Sequence, residues 1–122
     1  MAAIVVAGSR DIDDYAEVSK ILDETYFNIT TLISGTARGV DRLGERWAKE
    51  HNILVQRVPA DWAKYGRSAG YRRNEEMARL CEGVLCIWDG KSNGTFHMMQ
   101  MAKKYDKPLC MYNIGDRYGS LL

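Results

Sequence analysis

Apolar and polar positions follow two rhythms along this chain. Ala2–Ala7 is an unbroken apolar run ending in Gly8, the pattern of a strand covered on both faces. Tyr15, Val18, Ile21 and Leu22 then recur at helical spacing, and Asp14 with Glu17 has the form of a capping box at the start of that helix. Thr30–Ser34 reads as a second strand. After Gly39, the residues Val40, Leu43 and Trp47 share one helical face through about His51. Ile53–Val58 predicts a third strand, more polar and so near a sheet edge. Pro59–Gly70 predicts a long connection, followed by a helix over Tyr71–Cys81 with Met77, Leu80 and Cys81 inward. Val84–Trp88 predicts a fourth strand, Thr95–Lys104 a helix and Leu109–Tyr112 a fifth strand.

Strands alternating with helices define an α/β fold with a parallel sheet. The expected architecture is a Rossmann-like three-layer sandwich with a five-stranded parallel sheet in the order 3-2-1-4-5. It forms one domain over residues 1–113, with a short C-terminal tail over residues 114–122. In such a sheet the order reverses between the first and fourth strands, and ligands bind there, beyond the C-terminal strand ends.

Composition narrows the class. The 122 residues are 46% hydrophobic and 27% charged, ordinary values for a globular domain. Seventeen Lys and Arg against 16 Asp and Glu leave a formal net charge of +1, so any anion site must come from local arrangement. No apolar stretch approaches the roughly 20 residues of a membrane span, and the N-terminus has no basic segment of the kind that opens a signal peptide. Cys81, Cys86 and Cys110 lack metal-ligand spacing and read as small core hydrophobes in a reducing, cytoplasmic compartment. Met98, Met99, Met101, Trp47 and Trp88 also read as packing residues. No metal and no cofactor is predicted.

Three strand-end loops carry the candidate chemistry. They are Gly8-Ser9-Arg10, the run Ser34-Gly35-Thr36-Ala37-Arg38-Gly39-Val40-Asp41, and Asp89-Gly90-Lys91-Ser92-Asn93-Gly94-Thr95. Each combines glycine, a small hydroxyl and a cation. Glycine permits close backbone approach to phosphate, a helix N-terminus offers unpaired N–H groups, and arginine can grip phosphate oxygens in a bidentate fork. Neither a Walker sequence nor a dinucleotide G-x-G-x-x-G is present, and for any single loop ordinary turn chemistry is the commoner explanation; it is the convergence of three that favours an anion site.

The Pro59–Asn74 stretch adds aromatic and basic groups. Trp62 and Tyr65 can stack on a base, and Arg72, Arg73 and Asn74 stand at the expected start of a helix, where cations need a compensating anion. The structural alternative is that Trp62 covers an apolar edge while an arginine pairs with Asp61 or Asp89. Asp41 and Asp89 can orient arginines, bind ribose hydroxyls or support a cationic sugar, or serve as helix caps. His97 is a candidate acid or base, or a structural histidine. His51 suits a helix C-terminus.

Five segments, in order, resemble the SLOG superfamily and most closely its YspA, cpYpsA-related branch. They are Val6-Ala7-Gly8-Ser9-Arg10, Ser34 to Asp41, Pro59-Ala60-Asp61-Trp62, Arg73-Asn74-Glu75-Glu76-Met77, and Trp88 to Thr95. The resemblance implies a Rossmann-like domain binding a nucleotide or nucleotide-derived ligand, and self-association into a homo-oligomer. The superfamily includes the Lonely Guy phosphoribohydrolases and the DNA-processing protein A family, which binds single-stranded DNA. The first group carries a Gly-Gly-x-Gly-Thr-x-x-Glu motif whose glutamate matters for catalysis. Here Met98 stands in that place and can neither stabilise a ribosyl cation nor move a proton. The leading expectation is therefore ligand binding without turnover. N-glycosidic hydrolysis assisted by Asp89, His97 or Asp41, and single-stranded nucleic-acid binding, are the alternatives.

Overall fold

The computed structural model describes residues 2–115. Five parallel strands, β1 (Ala2–Gly8), β2 (Ile29–Ser34), β3 (Leu54–Arg57), β4 (Gly83–Trp88) and β5 (Leu109–Asn113), form one sheet in the order β3-β2-β1-β4-β5. Helices α1 (Tyr15–Glu24) and α2 (Val40–Glu50) cover one face. Helices α4 (Ala69–Leu80) and α5 (Asn93–Lys104) cover the other, and a single turn, α3 (Trp62–Tyr65), precedes α4. The expected fold class and strand order are those observed.

The continuous apolar runs are explained by this layering. Along β1, Ile4 and Val6 face α1 and α2, whereas Val5 and Ala7 face α4 and α5; along β4, Leu85 and Ile87 alternate with Val84 and Cys86 in the same way. Every second residue is thus buried on each side. The more polar β3 lies at one edge with only Val55 half-buried, consistent with its sequence.

Local caps set the helix ends. The Asp14 carboxylate accepts the Glu17 N–H and starts α1, and Ser92 caps α5 by accepting from Thr95. His51 closes α2, its backbone N–H donating to Trp47 O.

Three expectations need correction. The Pro59–Gly70 connection contains structure: Asp61 accepts the Lys64 N–H to nucleate α3, Gly66 (φ +56°) redirects the chain, and a 3₁₀ turn spans Gly66–Ser68. Helix α4 consequently begins at Ala69, so Arg72 and Arg73 lie a turn inside it, beyond the strongest field of its N-terminus. Leu80, expected inward, is 47% exposed because the helix ends there and the chain turns to bury Cys81 instead.

Cys81 and Cys86 are buried and Cys110 is half-buried, all as free thiols. Ile114 is buried beyond β5, Gly115 donates its N–H to Asn113 Oδ1, and residues 116–122 of the expected tail lie outside the described residues. Among the described residues no helix is long and apolar enough to cross a membrane.

Candidate functional site

Helices α2, α4 and α5 all direct their N-termini toward the C-terminal edge of the sheet. Between them, over the ends of β1 and β4, lies a cleft of about 60 Å³. Gly8, Arg10, Ala37 and Asp41 line one side; Arg73, Asn74, Gly94 and Thr95 line the other. These eight were candidates from the sequence. The cleft admits one group of phosphate size, and a whole nucleotide, which needs roughly 300 Å³ or more, would extend past its mouth.

Backbone geometry holds the loops close. A Cβ at Gly8 would lie 2.2 Å from Ile87 O, so β1 can meet β4 here only without a side chain. Gly39 has φ +79°, and a Cβ there would strike Ser9 O at 2.4 Å. Only glycine serves at that start of α2, which lets the second loop fold against the first. Thr36, a β-branched residue, is held at φ +67° between them while its N–H donates to Ser34 Oγ at 3.0 Å.

The electrostatic centre is Asp41 with Arg73. Asp41 is 5% exposed, and its Oδ2 accepts the Ala37 N–H at 3.1 Å. Burial pushes its carboxyl up to about 6, against the downward pull of the Ala37 N–H, the Arg73 charge and the Gly8 N–H. Arg73 donates through Nη1 to Gly35 O and through Nε to Asn74 Oδ1 at 3.1 Å. Its burial lowers its pKa, and the neighbouring Asp41 restores part of the loss. A Cβ on Gly35 would come within 2.9 Å of both Arg73 Nη1 and Asp41 Oδ2. Bare backbone at Gly35 therefore lets both side chains close in on the second loop. The half-buried Arg73 hydrogen-bonds Gly35 O and Asn74 Oδ1, and the carboxylate whose charge it feels is Asp41, not Asp61 or Asp89.

Asn74 is wholly engaged. It donates to Gly94 O at 3.2 Å and contacts His97 Nδ1 at 3.1 Å while accepting from Arg73. His97 stands behind it, with the Tyr71 ring 4.3 Å away. Burial, partly offset by Glu75, holds the imidazole below its usual pKa, so it is neutral at pH 7.

The remaining candidates sit outside the cleft lining. Ser9 is buried and accepts the Asp89 N–H at 2.9 Å, and Ser34 donates to Glu45 at 2.6 Å. Asp89 turns its carboxylate back on its own loop, accepting the Lys91 and Ser92 N–H groups, both at 2.8 Å. Burial alone would raise its pKa, but these donors and the Ser9 hydroxyl outweigh it and keep the group ionised. Gly90, at φ +82°, completes that turn. Arg38 is exposed and pairs with Asp11 at 3.1 Å. Arg72 points away from the cleft, lies 4.4 Å over the Tyr65 ring and bonds Ser68. Trp62 is 53% exposed on the rim, its ring near Gly70 and Arg73.

Three apolar wall residues, Ala7, Met77 and Met98, stood outside the candidate set. Met77 and Met98, each 1% exposed, belong to the core yet form the cleft floor. Met98 thus borders the cleft itself, at the place where the phosphoribohydrolase pattern has its glutamate. Among the described residues no three His, Cys, Asp or Glu side chains converge as a metal site.

A doubly wound domain with glycine-rich loops meeting at its switch point is the class that fold and cleft define. Within it, the chain belongs to the YspA, cpYpsA-related SLOG family, whose model matches residues 2–65. That match spans β1 through α3 and so includes the first two loops. The chain is also 33% identical to the gene 61 protein of Mycobacterium phage D29 over 126 residues, covering 96% of this chain and 99% of that protein. Among solved structures it is similar to DNA processing protein A from Streptococcus pneumoniae, with TM-score 0.72 and 17% identity. That superposition covers 89% of this chain and 49% of the larger one, so the chain spans about half its length. At this identity the likeness is one of fold.

Proposed function

We propose that the chain binds a nucleotide or nucleotide-derived small ligand, with an anionic phosphate at the cleft and the base beyond its mouth. The observation that carries this reading is the convergence of Arg73, Arg10 and the N-terminal turn of α5 on a cavity of phosphate size. Helical backbone has no internal acceptor for the first N–H groups of α5, and a Cβ on Gly94 would meet nothing within 4 Å. The approach to those amides is open. Trp62, 53% exposed and beside Gly70 near Arg73, is the candidate cover for a base.

Catalysis has less support. Met98 replaces the acid, the Asp89 carboxylate is committed to its loop, and His97 is turned toward Asn74. The second reading is single-stranded nucleic acid, because the exposed Trp62, Tyr65, Tyr71 and Phe96 are interleaved with Lys64, Arg67, Arg72 and Lys91. Similarity to a DNA processing protein adds to it.

Thermal unfolding against a panel of nucleotides separates these readings. A ligand at 100 times its Kd adds about 2.7 kcal/mol, and Arg73→Ala should abolish the gain. A steep salt dependence with an oligonucleotide, and no response to mononucleotides, would favour the second reading. Liberated free base would establish hydrolysis. Self-association, the further expectation, is read by sedimentation of the purified chain.

A further inference from the structure

The outer flank of β3 differs from the rest of the surface. A groove of about 630 Å³ runs between α2 and this edge strand, floored by Ile53, Leu54 and Val55. Leu54 is 70% exposed. Arg42, Arg46 and Lys49 project from the exposed side of α2 along one bank, and Arg57 closes the end. The one acid among the groove residues is already neutralised: Glu45 meets Arg57 at 3.2 Å and the Ser34 hydroxyl at 2.6 Å. Arg46 packs 3.8 Å over the Tyr15 ring and bonds Glu50. Among the described residues, Arg42 and Lys49 have no carboxylate within ion-pair distance.

Among the described residues, the main chain of β3 is equally unpartnered on that side. Val58 donates its N–H to Ser34 O across the β2–β3 pair, so strand alternation turns the amides of Val55 and Arg57 outward. We propose that this edge docks an extended peptide in which acidic and apolar residues alternate, added as a sixth strand beside β3.

The spacing supports that partner. In an added strand, residues i, i+2 and i+4 share a face at about 6.6 Å intervals. Arg42, Arg46 and Lys49 rise along α2 in steps of about 6 and 4.5 Å, a mismatch that long side chains absorb. Carboxylates on one face would meet Arg42 and Lys49, the two cations without a carboxylate among the described residues, while apolar residues on the other cover Leu54. A second copy pairing β3 with β3 would set the two cationic banks together and is disfavoured. The opposite sheet edge, β5, is flanked by Glu17, Lys20 and Glu24 and has no comparable field of one sign. Cations on an edge strand also deter unwanted pairing, and that would be their whole role if no peptide docks.

The test uses a fluorescent nine-residue peptide alternating glutamate and valine, followed by anisotropy at low and moderate salt. The expected result is saturable binding that weakens with salt, with slowed amide exchange at Val55 and Arg57. Arg42→Glu combined with Lys49→Glu should weaken it by at least about tenfold, two reversed surface pairs at up to 1 kcal/mol each. Both substitutions are on exposed positions, and an unchanged melting temperature verifies the fold. A lysine–valine peptide should not bind, and a nucleotide should not displace the acidic one. No binding, equal binding by both peptides, or binding without protection at Val55 and Arg57 would each overturn the proposal. So would concentration-dependent dimerisation that protects the same amides while the peptide fails to compete.

Discussion

Asp41→Asn tests the electrostatic centre of the cleft through folding stability. The Asp41 carboxyl titrates at about 6 in the folded protein against an ordinary value of 3.8. A raised folded pKa means that the folded state holds the proton more tightly. The contribution to stability is therefore fully present below pH 3.8 and is lost as pH rises through about 6. The difference, 6 − 3.8 = 2.2, corresponds to about 3 kcal/mol over the whole window. Between about pH 4.5 and 7.5 roughly 2 kcal/mol of it is lost, since the unfolded chain is already largely ionised at the lower value. Asparagine keeps an acceptor for the Ala37 N–H but cannot ionise, and it removes the counter-charge of Arg73 at all pH values alike. Urea unfolding of both proteins across this range isolates the effect, because every other titrating group, including Glu75 with its pKa drawn down to about 2 by Lys104 and Tyr105, is common to both. The stability difference should move by about 2 kcal/mol in favour of the variant as pH rises. Parallel pH curves would refute the buried, proton-holding Asp41.

Gly94→Ala should stabilise the protein by about 0.5–1 kcal/mol, because alanine suits a helix and its Cβ meets nothing within 4 Å, while weakening nucleotide binding by calorimetry. Thr36→Gly relieves a β-branched residue at φ +67° and should raise stability by about 1 kcal/mol in urea unfolding. Asp89→Ala strips the acceptor from the Lys91 and Ser92 N–H groups and should cost about 1–2 kcal/mol. Chromatography should find no free base from nucleotides with either Asp89→Ala or the parent chain.

Much of the fold was legible because burial on two faces writes itself as continuous apolar runs, as in Ile4–Ala7 and Val84–Ile87. The polar Leu54–Arg57 likewise announced an edge. What escaped was local or distant. One turn of helix at Trp62–Tyr65 is too short to show periodicity, and it moved the start of α4 and with it the position of Arg72. The Coulombic coupling of Asp41 to Arg73 crosses 32 positions (73 − 41), and no spacing rule reveals which of several carboxylates will be buried within reach of an arginine's charge. The loop glycines were visible, but their unequal duties were not: Gly8 and Gly39 are sterically compelled, whereas Gly94 leaves open space. Nor does composition distinguish an Asp89 that faces a ligand from one that ties its own turn.

The most direct measurement is amide and guanidinium NMR of the labelled chain titrated with nucleoside mono- and diphosphates. Nucleotide binding at the switch point predicts saturable shifts concentrated at Gly8, Ala37, Gly94, Thr95 and the Arg73 side chain, with Arg73→Ala silencing them. No shifts at millimolar ligand, or shifts confined to residues remote from the α4–α5 cleft, would contradict it.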